Sequence, residues 1–538
     1  MTSPSGYDAV IIGGGHNGLT CACYLAGAGL RVRVLERRSV VGGAAITEEF
    51  HPGFRNSALS YTVSLLHPGV IADLRLAQHG LRIVERPISN FLPLPGNAAF
   101  RVSGSIVELQ SEVSRLSERD ARTLPRYFDM LESAASIVRD LSARTPPNIG
   151  GGGGDLMKAL DVAMRMRRLD LTARRNLLDL FTKSAGDILD AWFECEPLKA
   201  AFGFDAIVGH FASPYTPGSG YVLLHHVMGE TNGRRGAWGH AIGGMGAITQ
   251  AMAAEAKARG VEIETGCEVT RVCIDQRGAQ GVQLSDGRVI EGRAVVANVN
   301  PRLLYLKLVD ASCLDADFRA RMGAYRCASG TFRMNVALSE LPDFSCAPGI
   351  TTQVHHQSGI IMAPSLRYME QAYFDARTLG CSRAPVVEML IPSTVDDSLA
   401  PKGAHVASLF CQHFNPELPN GLDWDDIREP AADLVIDTVN RHAPNFKASV
   451  IARKAYSPRD LEREFGLIGG DIFHGALTLD QLWSARPILG NADYRAPVPN
   501  LYLCGAGAHP GGGVSGLPGH NAAREIARDL KRRGSRRK

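Results

Sequence analysis

The residues in this sequence best suited to chemistry are two histidines and a tryptophan that stand beside runs of glycine. His509 precedes the glycines at 511–513, and Trp238 and His240 precede another glycine turn. An imidazole can polarise a bound group or move a proton, and an indole can line an apolar pocket. Each residue also has a structural interpretation, because His509 can bond its own loop, Trp238 can pack in a core and His240 can be non-catalytic. All three are kept as catalytic candidates, with both interpretations open.

A glycine fingerprint near the N-terminus predicts the binding of a dinucleotide. The apolar run 10–12 leads into Gly13-x-Gly15-x-x-Gly18, and a helical pattern of small and apolar residues follows. Such glycines allow a tight turn, let the backbone approach a pyrophosphate and permit close packing of helix on strand. The phosphates would lie at the helix N-terminus, where free N–H groups and the helix dipole favour negative charge.

A second strand pattern ends on an acid at the spacing that ribose binding requires. Glu36 ends the run 32–36 and lies 18 residues after Gly18. Its carboxylate can accept hydrogen bonds from the ribose hydroxyls of an adenosine. The glycine pair 42–43 follows, where it would let the chain pass close to the diphosphate of a long dinucleotide. This pair favours FAD over NAD, and no second fingerprint predicts NAD(P).

The elements that must position these residues come from separate parts of the sequence. Residues 243–300 alternate between helix and strand. The segment 261–274 is predicted as strand, turn and strand and would supply the third strand of a nucleotide-binding sheet, where Val269 would offer backbone groups to an adenine. The glycines at 511–513 would let the backbone lie flat against a flavin ring. A helix predicted from about Gly519 would direct its N-terminus at the negative charge of a reduced flavin.

The rest of the sequence predicts a second domain. Five glycines at 150–154 precede amphipathic helical patterns over about 155–195, and residues 311–480 mix short strands and helices. The predicted fold class is α/β, with a discontinuous Rossmann-like FAD-binding domain of glutathione-reductase type and a mixed α+β substrate domain with a helical insertion. The expected division is an FAD-binding domain of 1–84, 236–310 and 481–530, a substrate domain of 85–235 and 311–480, and a basic tail of 531–538.

The composition is that of an ordinary globular protein whose length calls for more than one domain. Of its 538 residues, 45% are hydrophobic and 21% are charged. The formal charge of +3 falls to −3 without the six basic residues among the last eight, so no nucleic-acid partner is expected. Eleven cysteines include no CxxC pair, which argues against a disulfide framework, a bound metal such as zinc, and a dithiol flavin reductase.

The sequence predicts a cytoplasmic protein that lies free or contacts a membrane peripherally. No run of 18 apolar residues indicates a transmembrane helix, and the first residues lack the charged and apolar segments of a leader. The amphipathic helices over 155–195 carry basic residues such as Arg174 and Arg175, so they can lie on a membrane surface or face water. The oligomeric state is left open.

Several motifs together resemble the flavin-dependent amine-oxidase and phytoene-desaturase-like oxidoreductases. They are GGGHNGL, VLERRSVVGGAA, GAWGHAIGGMG, DLEREFGLIGGDIFHGALTLDQL and GAGAHPGGGVSGLPGHNAA, and the resemblance runs from residue 7 to about residue 530. Within this superfamily the sequence is most similar to the group called pyridine nucleotide-disulfide oxidoreductase domain-containing protein 2. That name mentions disulfides, but the sequence has no redox cysteine pair, so no disulfide activity is expected.

The resemblance implies FAD held non-covalently where a nucleotide domain meets a substrate domain. The expected reaction is hydride removal from a largely apolar small molecule, with O2 or a quinone taking the electrons. Amine oxidation, redox-neutral isomerisation, a binding protein of the Rab GDP-dissociation-inhibitor type and a regulator that keeps FAD are the alternatives. The residues expected to bind the cofactor are Gly13, Gly15, His16, Asn17, Gly18, Glu36, Arg37, Gly42, Gly43, Ala44, Val269, Gly505, Gly507, Gly512, Gly513, Val514 and Gly516.

Overall fold

The structure, a computed structural model, describes residues 6–535. Its strands are β1 (Ala9–Ile12), β2 (Val32–Glu36), β3 (Thr47–His51), β4 (Phe54–Ser57), β5 (Ile83–Glu85), β6 (Asn90–Leu94), β7 (Ala98–Val102), β8 (Glu230–Thr231), β9 (Arg234–Arg235), β10 (Gly239–Ala241), β11 (Glu262–Thr265), β12 (Val269–Asp275), β13 (Gly278–Leu284), β14 (Val289–Glu291), β15 (Val295–Ala297), β16 (Thr331–Leu338), β17 (Gly359–Met362), β18 (Cys381–Leu390), β19 (His405–Phe414), β20 (Val450–Tyr456) and β21 (Leu501–Leu503). Its α-helices are α1 (His16–Gly27), α2 (Pro68–Asp73), α3 (Ile106–Ser114), α4 (Glu118–Ser142), α5 (Gly153–Arg168), α6 (Leu171–Thr182), α7 (Ala185–Trp192), α8 (Glu196–Asp205), α9 (Ser219–Val227), α10 (Gly246–Ala258), α11 (Pro301–Leu303), α12 (Ala316–Gly323), α13 (Leu366–Leu379), α14 (Trp424–Asn440), α15 (Phe446–Ser449), α16 (Pro458–Phe465) and α17 (Leu517–Ser535).

A parallel sheet of five strands, in the order β11-β2-β1-β15-β21, joins distant parts of the chain. Its central strand β1 is apolar and fully buried, as expected of a parallel strand covered on both faces. Helix α1 packs against both α10 and α17. Because the carboxyl ends of parallel strands meet at one edge, Ile12, Glu36 and Asn298 come together there. This sheet, with the mixed sheet below, confirms the predicted α/β fold class.

The chain also forms a mixed sheet of seven strands, in the order β20-β16-β19-β18-β17-β6-β7. Alternate residues of β16, including Phe332 and Met334, pack with Trp424 of α14 in one apolar core. Because side chains alternate along a strand, Arg333 points to the other face of the sheet. That face meets the carboxyl edge of the parallel sheet, and the functional cavity lies between them.

Two local predictions are confirmed. The segment 261–274 folds as strand, turn and strand, because β11 joins the parallel sheet beside β2 and β12 pairs with β13 in a separate three-stranded sheet. The last helix begins at Leu517, close to the predicted start near Gly519. A Cβ on Gly519 would lie 2.1 Å from the carbonyl oxygen of Asn17, so this glycine lets α17 pack closely on α1.

The predicted helical region is occupied by α5, α6 and α7, and α5 has no buried residue. Of the predicted basic tail, residues 531–535 belong to α17, and residues 536–538 lie outside the described residues. Across the described range 6–535, no helix is long and apolar enough to cross a membrane. The division into two discontinuous domains is kept as a proposal, with the parallel sheet in one and the seven-stranded sheet in the other.

Candidate active site

A large cavity lies where the edge of the parallel sheet faces the seven-stranded sheet. It is lined by residues from both sheets, such as Leu35 and Asn298 from one side and Arg333 and Phe410 from the other. The predicted residues on its lining are Gly13, Gly15, His16, Asn17, Glu36, Arg37, Gly43, Ala44, Trp238, Val269, Gly512, Gly513 and Val514.

The fingerprint glycines form the tight turn that joins β1 to α1. Gly13 has a φ of +93°, and a Cβ there would lie 2.8 Å from the carbonyl oxygen of Asn298. Gly18 is not on the cavity lining, and a Cβ there would lie 2.3 Å from the carbonyl oxygen of Gly13, so the missing side chain lets the helix pack closely on the turn. The first turn of α1, at His16 and Asn17, therefore opens onto the cavity with its N–H groups unbonded within the helix.

Glu36 lies at one end of the cavity beside the predicted adenine site. Its Oε2 accepts a hydrogen bond from the Gly14 amide (2.8 Å) and its Oε1 accepts one from the Arg38 amide (2.9 Å). The Cys267 amide donates to the carbonyl oxygen of Glu36 (2.9 Å), which holds the segment leading to Val269 against the end of β2. A carboxylate has about four acceptor positions, so the two that these amides leave can face a ligand.

The glycine pair lies directly on the fingerprint turn. The Gly42 amide donates to the carbonyl oxygen of Gly14 (2.9 Å), and a Cβ on Gly43 would lie 3.2 Å from the Cα of Gly15. The neighbouring Arg37 donates through Nη2 to the carbonyl oxygen of Glu464 (2.8 Å). The two glycine loops therefore form one cradle of backbone, as the passage of a diphosphate between them requires.

Buried polar atoms on the lining show that the cavity fits FAD. His16 Nε2, Asn17 Oδ1, Arg38 Nη1 and His474 Nδ1 line it, and none has a hydrogen-bond partner within residues 6–535. Burial lowers the pKa of both His16 and His474 to about 4, so these imidazoles are neutral at pH 7. Leaving a buried polar atom unpaired costs about 1–3 kcal/mol. A ligand with phosphate oxygens and ring heteroatoms would supply the missing partners.

The C-terminal glycine run lines the other part of the cavity. A Cβ on Gly512 would lie 2.4 Å from Cδ1 of Phe473, and a Cβ on Gly513 would lie 2.4 Å from Cδ1 of Leu65. The φ of +105° at Gly513 also requires glycine. The backbone itself therefore faces the cavity at these glycines, which leaves room for the predicted contact with a flat ring.

Five predicted contact residues lie behind the lining rather than on it. A Cβ on Gly507 would lie 2.3 Å from Cγ of Pro301, so this position serves backbone packing. Gly18, Gly42, Gly505 and Gly516 also lie outside the lining, and their contact with the cofactor stays a prediction.

The structure places His509 outside the lining of the cavity, and its catalytic role stays a prediction. Its side chain is buried away from the cavity, with Nε2 3.3 Å from the carbonyl oxygen of Leu141 and its ring edge-on to Trp483. Burial lowers the pKa of His509 to about 3, so the imidazole stays neutral. The residue ties the glycine-rich loop to α4, which is the structural interpretation that the sequence left open.

His240 and Trp238 lie at different places relative to the large cavity. His240 Nε2 lies 2.9 Å from Asp396 Oδ2, and His240 is not on the lining of the large cavity, so its catalytic role stays a prediction. Trp238 does lie on that lining, nearly parallel to the ring of His226 at 6.4 Å. It also lines a neighbouring cavity beside α4, so its indole forms part of the wall between the two.

The chamber beyond the glycines contains residues that sequence reasoning missed. Strand register places Arg333, Phe410 and Glu388 side by side across β16, β19 and β18. Tyr61 stacks on Phe410 (5.1 Å between centroids), lies 4.7 Å from the Arg333 guanidinium carbon and donates its hydroxyl to Glu388 Oε2 (2.5 Å). A charged residue inside the largely apolar strand TFRMNVAL was the available signal for Arg333.

The chamber is apolar and lacks a histidine that titrates near neutral pH. Burial lowers the pKa of His226 to about 4, and its Nδ1 lies 2.9 Å from the carbonyl oxygen of Val222. Burial and the Glu388 carboxylate raise the pKa of Tyr61 well above its usual value, so the phenol stays protonated. The chamber side of the lining comprises Tyr61, Leu65, Val208, His226, Trp238, Arg333, Phe410 and Phe473.

Comparison with known proteins now identifies the family. The family model of flavin containing amine oxidoreductases matches residues 18–325. The chain belongs to this family. It is 42% identical to the rat pyridine nucleotide-disulfide oxidoreductase domain-containing protein 2 over 98% of this chain and 94% of that protein. It is 25% identical to a lycopene-forming phytoene desaturase of Pseudescherichia vulneris, over 94% of this chain and 96% of the relative.

Solved structures give the same fold. Putrescine oxidase with bound putrescine matches with a TM-score of 0.60 at 15% identity, covering 98% of this chain and 99% of that one. The predicted superfamily and the predicted FAD cofactor are therefore confirmed, and the protein is an FAD-dependent oxidoreductase. Within the described part of the chain, no cluster of three or more His, Cys, Asp or Glu residues could hold a metal ion.

Proposed function

We propose that this enzyme removes a hydride from one carbon of a largely apolar small molecule while the adjacent carbon loses a proton to solvent, so that a new double bond forms. The observation that carries the proposal is the continuous lining, which passes from the FAD cradle at Glu36 and Gly15 to the apolar chamber at Phe410 and Trp238. Bound FAD supplies the two-electron acceptor for the hydride, and O2 or a quinone is the proposed final acceptor. The phytoene desaturase relative carries a name of the same reaction type.

The side chains of the chamber bind and orient the substrate and exclude water. Tyr61 and Phe410 form a stacked aromatic wall, and Trp238 stands in the wall toward the neighbouring cavity. Glu388 holds the Tyr61 hydroxyl, so it acts as a positioning residue. Burial lowers the pKa of His226 to about 4 and Tyr61 stays protonated, so neither side chain is a strong base. The chamber therefore suits removal of a hydride from an apolar carbon more than deprotonation of a charged group.

Amine oxidation is an alternative to dehydrogenation, because putrescine oxidase shares the fold. The chamber contains the guanidinium of Arg333, which disfavours an ammonium group nearby. Redox-neutral isomerisation also uses this architecture. The three reactions are told apart by what they do to the flavin and by which substrates they accept.

Anaerobic stopped-flow absorbance of the FAD-loaded enzyme tests the proposal. Mixing with unsaturated and saturated hydrocarbons, alcohols and amines of matched size should bleach the flavin band near 450 nm only with an apolar substrate that can form a double bond. Bleaching by amines alone would replace the proposal with amine oxidation. Conversion of a polyene without net bleaching would replace it with isomerisation.

We also propose that α5 and α6 dock this enzyme on an anionic membrane surface, from which an apolar substrate is taken. Leu156, Met157 and Met164 of α5 are more than half exposed, and Leu171 and Leu178 of α6 are equally exposed. Arg167, Arg168, Arg174 and Arg175 on these helices are exposed as well. Apolar side chains flanked by arginines are typical of helices that lie in a lipid interface.

Vesicle sedimentation tests this membrane contact. The wild-type protein should bind vesicles containing about 30% phosphatidylserine and release them at high salt, because part of the attraction is electrostatic. The variant Leu156→Asp/Met157→Asp should lose binding, whereas Val107→Asp, which alters an equally exposed apolar residue on α3, should not. Equal binding by both variants would show that these helices are solvated.

A further inference from the structure

Arg333 is a buried cation without an ion-pair partner. It is 1% exposed and lies on the lining of the chamber, and none of the ion pairs found within residues 6–535 includes it. Its Nη1 donates to the carbonyl oxygen of Leu409 (2.6 Å) and its Nη2 to Ser408 Oγ (2.8 Å). Its Nε has no hydrogen-bond partner in the described part of the chain. Buried arginines are rarely left without a negative partner, because the desolvated charge is strongly unfavourable.

The charges around Arg333 leave an excess of positive charge. Glu388 lies one strand beyond Phe410, where it is 3.7 Å from Arg86 and accepts the Tyr61 hydroxyl. This single carboxylate therefore serves two guanidiniums. The next acid, Asp205 at the end of α8, has its pKa raised to about 8 by burial and by Glu388, so it is largely protonated at pH 7. The network consequently lacks one negative charge.

We propose that the substrate carries a carboxylate that binds Arg333, with its apolar body against Tyr61 and Phe410. The carboxylate would accept the unused Nε–H and a remaining Nη–H, a geometry that guanidinium groups favour. The inference rests on the proposed dehydrogenation and narrows its substrate class to amphiphilic organic acids. The apolar lining and the guanidinium of Arg333 would then select the same substrate together.

A second source of negative charge is the cofactor, since a reduced flavin is more anionic than an oxidised one. In that case Arg333 would raise the reduction potential of the flavin and would not select among ligands. The two roles differ in a quantity that can be measured without turnover, namely the preference of the oxidised holoenzyme for an acid over an uncharged ligand of equal length.

The test measures dissociation constants of decanoate, 1-decanol and decylamine for the FAD-loaded protein by calorimetry and by flavin difference spectra. Decanoate should bind about 10- to 100-fold more tightly than 1-decanol, the range expected for a charge-assisted hydrogen bond. Arg333→Met should abolish this preference and Arg333→Lys should keep part of it. Arg453→Met is the matched control, because Arg453 lies on the adjacent strand β20 and pairs with Asp433 and Glu429 away from the chamber.

Two results would overturn the inference: equal affinities of the wild type for decanoate and 1-decanol, or an unchanged preference in a folded Arg333→Lys and Arg333→Met pair. If the preference is unchanged and the flavin potential shifts, the charge of Arg333 is assigned to the cofactor. If Arg333→Met does not fold, the preference of the wild type and that of the Arg333→Lys variant still decide whether Arg333 binds the carboxylate. Binding of decanoate without flavin reduction by any acid would instead contradict the proposed function alone.

Discussion

Replacement of Glu36 by glutamine is the sharpest probe of the cofactor site. The side chain is 6% exposed and already accepts the amides of Gly14 and Arg38, so the remaining acceptor positions are the ones available to the ribose. Glutamine keeps the shape but replaces one oxygen with an NH2 group and removes the charge. A charge-assisted hydrogen bond contributes about 1.5–3 kcal/mol and a neutral one about 0.5–1.5 kcal/mol.

The expected loss for two ribose hydroxyls is therefore about 2–3 kcal/mol, or a dissociation constant for FAD raised about 30- to 150-fold. Fluorescence titration of the apoprotein with FAD measures it directly. Glu262→Gln is the matched control, because Glu262 lies on the neighbouring strand β11 but not on the cavity lining, and it should leave FAD affinity unchanged. A folded Glu36→Gln protein with wild-type affinity would show that Glu36 does not bind the ribose.

Two further substitutions test the role of His509 and the support of the nucleotide fold. His509→Gln should leave the rate of flavin reduction within about twofold and lower the free energy of unfolding by about 1–3 kcal/mol through the lost contact with Leu141, whereas a tenfold slower reduction would return it to the catalytic centre. Glu255→Gln should destabilise the protein by about 2–3 kcal/mol at pH 7, because the buried carboxylate accepts from Arg75, Arg259 and His79. Burial alone would raise the pKa of Glu255, but these hydrogen bonds lower it to about 2. The stabilisation is therefore complete above about pH 4.5 and is lost toward pH 2, so denaturant unfolding should show the difference narrowing at pH 3, and a widening difference would contradict it.

The cofactor cradle could be predicted because its signal is local in the sequence. Gly13, Gly15 and Gly18 lie within one turn, and Glu36 follows at the end of the next strand, so type and spacing alone define the geometry. The exceptions among the predicted contacts are glycines such as Gly507, which lie outside the cavity lining and pack against other parts of the chain. A glycine in the sequence indicates that another group comes close to the backbone there, but it does not tell whether that group is a ligand or another part of the protein.

The substrate chamber could not be predicted, because it depends on register between distant strands. Arg333, Phe410 and Glu388 become neighbours only when β16, β19 and β18 pair, and Tyr61 reaches them from a separate loop. The position of His509 outside the cavity lining has a related cause. Its place beside the glycine run suggested a ligand contact, but the direction of its side chain is set by packing against α4.

The most direct measurement is a titration of the purified apoprotein with FAD, followed by absorbance and by release on acid denaturation. The cradle predicts one FAD bound per chain, with flavin bands in the visible spectrum and complete recovery of free FAD after denaturation, since no covalent attachment is expected. A folded protein that stays colourless at saturating FAD would contradict the assignment of this cavity as the FAD site.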